Sequence, residues 1–253
     1  METNRKGQVT IFIIIGVLIF VAILLVFYFT GSISFTKSNI QNPEAYLESC
    51  MINSAKEAEN LIFNSNGYPQ LESNYILYNT EKVPYLCISS EFYNPCIPQE
   101  PAFFSYVNKI IENRVARDTQ ICVDNLVKEF EKKGYEVQIN SENTTVEIRK
   151  DFVNVQLGKT ISFSNGEDAR QIQNLDFSYG TKLYDMIKLV QTIVNSETST
   201  CDFDKEAWMR MDKSIIVLKD STSDQTEVYT LKERLTEREI KFAIKTCVLP
   251  AAL

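Results

Sequence analysis

YEVQINSENTTVEIRKDFVNVQLGKTISF, residues 135–163, is the stretch that decides the fold class. Apolar residues fall at every second position in four runs: Tyr135–Ile139, Thr145–Arg149, Phe152–Leu157 and Thr160–Phe163. A period of two places alternate side chains on opposite faces of a strand. Ser-Glu-Asn at 141–143 and Gly158-Lys159 read as turns between runs. The expectation is an antiparallel meander with one buried face, and Ile172–Phe177 adds a further strand.

Upstream the period changes to helical. Asn42-Pro43 supplies an N-cap and a first-turn proline, and Leu47, Cys50, Met51, Ala55, Ala58, Leu61 and Ile62 make one stripe that stops at Asn66-Gly67. A second stripe runs Phe104, Val107, Ile110, Ile111, Val115. It continues, with Asp118 as a cap, through Ile121, Cys122, Leu126, Val127 and Phe130 to Gly134. Thr181 caps a third helix whose stripe ends at Val194, and Asn195–Thr200 reads as polar linker. Short strands are expected at 75–78, 83–86, 214–218, 227–231 and 240–244. The whole is α+β: an extracytoplasmic domain, residues 43–253, of amphipathic helices packed on one face of an antiparallel β-meander.

Before this domain comes an apolar stretch. Val9–Phe29 is apolar apart from Thr10 and Gly16, and as a helix it spans about 31 Å, the thickness of a hydrocarbon core. Arg5 and Lys6 precede it, and no charge follows until Lys37. The positive-inside rule makes 1–8 a cytoplasmic basic leader, 9–29 a single transmembrane helix in membrane lipid and 30–42 a linker to an extracellular domain.

The six cysteines, Cys50, Cys87, Cys96, Cys122, Cys201 and Cys247, all follow the apolar stretch, and none forms a CxxC pair. Their even number points to three disulfides in an oxidising space. Fifteen pairings exist. The expected set is Cys87–Cys96 around a short loop, Cys50–Cys122 between two helical stripes, and Cys201–Cys247 near the C-terminal strands.

The chain contains no histidine, which removes the commonest general base and imidazole metal sites. No catalytic residue, cofactor motif or metal-ligand set stands out. Asp202, Asp204 and Glu206 read as a solvated acidic turn rather than a calcium loop. The net charge is −7, and residues 32–253 carry −8, so nucleic acid is not an expected partner. Asn143-Thr144-Thr145 is a glycosylation sequon placed between strands. Tyr75, Tyr78, Tyr85, Phe92 and Tyr93 cluster around the Cys87–Cys96 loop and form a candidate recognition surface.

Arg5-Lys6-Gly7-Gln8 running directly into the apolar helix resembles the class III signal sequence of archaeal type IV pilin-like surface proteins. The resemblance implies cleavage between Gly7 and Gln8, with the helix kept on the mature protein. Many of these proteins carry Glu at the fifth mature position; Phe12 stands there in this chain. The order of helices, cysteines and strands also resembles uncharacterised single-pass membrane proteins of small-genome archaea. The implied function is a non-enzymatic structural or adhesion protein, a pilin-like filament or accessory subunit, contacting other envelope proteins or copies of itself. An envelope receptor or recruitment subunit is the alternative. A carboxylate-dependent envelope hydrolase is the second; it requires a cleft with two facing carboxylates.

Overall fold

The computed structural model describes residues 15–17, 19, 20, 40, 42–141, 143–166, 168–236 and 238–248. The chain divides into two units, residues 1–41 and 42–253. In the first unit, residues 15–17, 19 and 20 are helical and exposed. The rest of the apolar stretch 9–29, the leader with Gly7 and Gln8, and most of the linker lie outside the described residues. No helix among the described residues is long and apolar enough to cross a membrane.

The second unit opens with helix α1, Pro43–Asn64. Asn42 Oδ1 accepts the N–H groups of Glu44 and Ala45 at 3.1 and 3.2 Å, and Pro43 takes the position where no N–H is needed. Leu47, Met51, Ala55, Ala58 and Ile62 are buried along one side. The helix ends where Gly67 N–H reaches Ile62 O at 2.8 Å and Asn66, at φ +53°, bonds Phe63 O. A Cβ on Gly67 would stand 2.7 Å from the Phe103 ring, so the left-handed turn and the close approach both call for glycine.

Hairpin strands β1 (Tyr75–Tyr78) and β2 (Glu81–Ile88) follow, then the two-residue β3 (Ile97–Pro98). Asn79 and Thr80 both have positive φ, as the tight β1–β2 turn requires. Helix α2, Phe103–Lys132, is one uninterrupted helix of 30 residues. The break expected at Asp118 is absent. Its carboxylate instead accepts Ser54 Oγ at 3.0 Å and Arg114 Nε at 2.6 Å, which ties α2 to α1. The Cys50–Cys122 disulfide joins the same two helices, Cα to Cα 6.5 Å.

The deciding stretch forms β4 (Glu136–Ser141), β5 (Thr145–Arg149), β6 (Phe152–Leu157) and β7 (Lys159–Asn165). Strands β8 (Asp168–Ile172) and β9 (Leu175–Gly180) follow. Pairing is β4-β7-β8 and β5-β6-β9, not the strand-by-strand order expected. The register explains this. Thr145 faces Gln156 and Ser141 faces Lys159, so one chain advances four residues while its partner advances three. Leu157 faces Leu175 and Ile161 faces Ile172, with the same slip. The six short strands therefore make three long antiparallel passes, β4 with β5, β6 with β7 and β8 with β9, and the first two passes each carry one extra residue at the level of the slip. The expected turn at 158–159 is a kink, and Glu142 of the expected turn at 141–143 lies outside the described residues. A Cβ on Gly158 would stand 1.9 Å from the Asn143 carbonyl oxygen, so the kink brings the two backbones together.

Helix α3 spans Leu183–Thr200 and α4 spans Lys205–Met211. The expected linker at 195–200 is the last turns of α3, which stops at Cys201 in the left-handed conformation. Strands β10 (Ile215–Ser221), β11 (Glu227–Glu233) and β12 (Glu239–Lys245) complete a six-stranded sheet of order β1-β2-β12-β11-β10, with β3 also on β2. This sheet is mixed, because β2 and β12 run parallel. It also curls: Tyr78 on edge strand β1 donates to Asp220 on the opposite edge, β10, at 2.8 Å. α1 touches both β9 and β12, and α3 touches β5, β2 and β12. The architecture is α+β, with helices packed against two sheets rather than on one face of a single antiparallel one.

Candidate functional site

The Cys87–Cys96 loop is held from two directions. Its own disulfide, Cα to Cα 5.3 Å, closes the ends of β2 and β3. The chain after β12 then grips the loop: Ser89 N–H bonds Lys245 O at 2.7 Å, Tyr93 N–H bonds Val248 O at 3.0 Å, and Cys247 N–H bonds Asn94 O at 3.0 Å. That gripping segment is tied to the end of α3 by Cys201–Cys247, Cα to Cα 5.9 Å. The three disulfides are the three pairs set out above. On this support Phe92 is 57% exposed, Tyr93 65% and the adjacent Ile97 71%. Tyr93 sits at φ +62°, a conformation costing an L-residue about 1–2 kcal/mol, and the pinned loop maintains it.

The other three tyrosines of the candidate surface are placed differently. Tyr78 and Tyr85 pack on the Val83, Val228 and Ala243 cluster, with hydroxyls bonded to Asp220 and Thr226. Tyr75 is half-buried beneath Lys82, whose ammonium lies 4.4 Å from the ring centroid. The structure thus leaves Phe92 and Tyr93 exposed on the loop and sets Tyr75, Tyr78 and Tyr85 into the sheet.

Two buried glutamates that the sequence reading passed over lie on the helix stripes. Glu59 on α1 is fully buried. Its Oε1 accepts Thr181 Oγ and Arg238 Nη1, the latter at 2.7 Å. Thr181 in turn accepts Leu183 N–H, so one hydroxyl links α1 to the start of α3. Glu59 Oε2 and Tyr179 Oη are both buried without a partner, and they lie within reach of one another. Burial raises the Glu59 pKa, against the lowering effects of Thr181 and Arg238.

Glu197 on α3 is equally buried. Tyr229 donates to its Oε1, and Lys219 Nζ sits 3.4 Å from it, 2.9 Å from Glu227 and 2.7 Å from Asp202. Burial raises the Glu227 pKa; Lys219 opposes and Glu197 adds to the rise. Glu197 Oε2 is buried without a hydrogen-bond partner among the described residues, and Glu227 Oε2 is buried beside the Lys219 ammonium. Thr246 Oγ accepts Cys96 N–H at 3.1 Å and donates to the main-chain carbonyl of Glu197 at 3.2 Å, which ties the end of the exposed loop to the backbone of α3. A signal existed in the sequence: both glutamates continue an apolar stripe at helical spacing, Glu59 after Ala55 and Glu197 after Ile193 and Val194.

Glu59 and Glu197 are themselves fully buried. A surface cavity of about 610 Å³ is lined by Arg238 of the Glu59 cluster together with Glu81, Glu239 and Lys241. Glu81 and Glu239 on that wall are both paired with Lys241, at 2.6 and 2.8 Å, and Glu72 and Glu100 line another cavity of about 420 Å³. Asp202 is occupied by Lys219, and Asp204 caps α4 through Ala207 N–H at 2.8 Å. No group of three or more metal-ligating side chains occurs among the described residues. Asn143 is exposed at the kink.

Fold and sites define a class: a disulfide-stapled α+β domain that matures in an oxidising, extracytoplasmic space. Comparison with protein-family models, with characterised proteins and with solved structures finds no match for this chain.

Proposed function

We propose that this chain is a membrane-anchored extracytoplasmic structural or adhesion protein, held in lipid by residues 9–29. On this reading it engages other envelope proteins, or copies of itself, through the loop bearing Phe92 and Tyr93. The observation that carries the reading is the pinned tip. Two large aromatic side chains, Phe92 and Tyr93, are more than half exposed on a loop fixed by one disulfide and three backbone hydrogen bonds, and Ile97 is exposed on the strand that follows it. Exposed aromatics on a pre-ordered loop lose little entropy on binding, which favours a protein partner. The basic-Gly-Gln start before the apolar stretch supports the pilin-like form of this role.

The test is a photo-crosslinking residue at position 92 in cells making the full chain. A discrete adduct to an envelope protein or to the chain itself is expected. It should vanish in a Y93S/I97S variant that keeps its three disulfides. No adduct, or an adduct indifferent to that variant, refutes the reading. N-terminal sequencing of the purified adduct reads the processing: a start at Gln8 accords with the pilin-like form, and an intact Met1 with a plain signal anchor.

A further inference from the structure

A second surface has different chemistry. Between α2, α3 and the β5–β6 hairpin lies a groove of about 800 Å³, and it continues along α2 into a second of about 530 Å³. Phe104 and Asn108 line both, so the two form one channel. From Phe104 to Ala116 it follows α2 for about 18 Å.

The lining is cationic in a domain that is otherwise acidic. Lys109, Lys150 and Lys188 are exposed and form no ion pair among the described residues. Arg149 is neutralised by Glu147 at 2.6 Å, and Glu112 is the other carboxylate on the wall. The groove thus holds a surplus of positive charge against −8 on residues 32–253. Aromatic faces lie beside the lysines. Phe104 and Tyr184 pack edge-on with centroids 5.7 Å apart, and Lys188 Nζ stands 5.0 Å from the Phe104 centroid. Asn108 and Asn113 add side-chain amides with no hydrogen bond among the described residues.

We propose that this groove binds an acidic polysaccharide, a polymer whose sugar rings carry carboxylates. Each part of the lining has a match in that ligand. Lysines pair with carboxylates, amides exchange hydrogen bonds with ring hydroxyls, and the Phe104–Tyr184 faces cover the apolar side of a sugar ring. An acidic peptide uses the lysines but leaves the amides and ring faces without a repeating partner. Nucleic acid meets a domain of repelling net charge. This site is separate from the loop of the proposed function and does not depend on it.

The experiment is calorimetric titration of the full chain in detergent micelles with oligogalacturonate. Maltoheptaose and poly-glutamate of matched charge serve as controls. Binding of oligogalacturonate that weakens with salt is expected. Lys150→Glu together with Lys188→Glu should weaken it by about tenfold or more, about 1.4 kcal/mol. Tyr184→Ala should weaken it without changing the salt slope, and a Y93S/I97S variant should bind normally. Unchanged melting temperature in the charge-reversed variant shows that the fold is retained. No binding, binding indifferent to the reversals, or poly-glutamate bound as tightly overturns the proposal.

Discussion

Replacing Arg238 by alanine gives a sharp test of the Glu59 cluster. Arg238 is the cation that meets the fully buried Glu59, at 2.7 Å, and its guanidinium also lies 5.4 Å from the Phe63 ring centroid. Removing one partner of a buried pair costs about 3–5 kcal/mol when the other stays charged. The Arg238 side chain is 32% exposed, so water already screens part of the attraction, and about 2–3 kcal/mol is the reasonable figure above pH 7. The cost has to depend on pH. Burial raises the Glu59 pKa above its ordinary value, so the folded state binds this proton more tightly than the unfolded chain. That contribution is complete below the unfolded pKa of about 4.5 and is lost as pH rises through the folded value. Without Arg238 the folded value rises further, and the loss grows with pH. At pH 4.5 Glu59 is largely neutral in the variant, and the remaining cost is a hydrogen bond and some packing, about 1 kcal/mol. Urea unfolding followed by Trp208 fluorescence at pH 4.5 and pH 8 measures both. A cost that is equal at the two pH values would refute the argument. So would a Glu59→Gln, Arg238→Ala double variant no more stable at pH 8 than Arg238→Ala alone.

Two further outcomes follow from the same packing. Gly158→Ala should destabilise by about 1–3 kcal/mol or more, since its methyl meets the Asn143 carbonyl; an unchanged urea midpoint would mean that the two strands do not cross there. Glu227→Gln mimics the protonated acid whose pKa burial raises, so it should flatten the fall in stability from about pH 5 to pH 8 and be near neutral at pH 4.5; a steeper slope in the variant would exclude a proton held at this carboxyl.

Much of the architecture was legible because burial imposes periodicity. Val146 and Ile148, Val153 and Val155, and Ile161 and Phe163 are buried pairs two residues apart, as the alternation required. The caps at Asn42, Asn66-Gly67 and Gly134 were legible because helix ends need side-chain acceptors or a left-handed residue. Strand pairing was misread at the kinks. Ser-Glu-Asn has the composition of a turn, yet nothing in composition separates a reversal from a bulge. Length does separate them. β6 ends at Leu157 and β7 begins at Lys159, and one residue cannot reverse an antiparallel pair that needs at least a two-residue loop. The end of α3 was missed because Asn195–Thr200 is polar. Those side chains bond back to the helix, Ser199 and Thr198 to Asn195 O and Thr200 to Ser196 O, so their polarity is satisfied within the helix. At the candidate surface the sequence grouped five aromatics by proximity along the chain. Alternation within β1 and β2 and the curl of the sheet turned three of them inward or sideways.

The buried charges make sense from the position of β11. Glu227, Tyr229, Leu231 and Glu233 occupy alternate positions on this strand and therefore share one face. Tyr229 on that face meets Glu197 of α3, and Glu233 acts electrostatically on Glu59 of α1, so the face is turned to the helices at both ends. An interface made only of aliphatic side chains tolerates sliding of a helix by a turn with modest loss, because one methyl substitutes for another. Here a slide of about 5.4 Å would separate Glu59 from Thr181 and Arg238, and Glu197 from Tyr229 and Lys219. Each move would strand a carboxylate in the interior, where an unpaired charge costs several kcal/mol. Two such pins, one near each end of β11, fix where the helices lie on the sheet. The helix so placed reaches outward through its backbone: the main-chain carbonyl of Glu197 accepts Thr246 Oγ, Thr246 Oγ accepts Cys96 N–H, and Cys96 closes the loop that presents Phe92 and Tyr93. The exposed tip is thus tied to the backbone of α3, the helix whose position on the sheet the Glu197 carboxylate fixes.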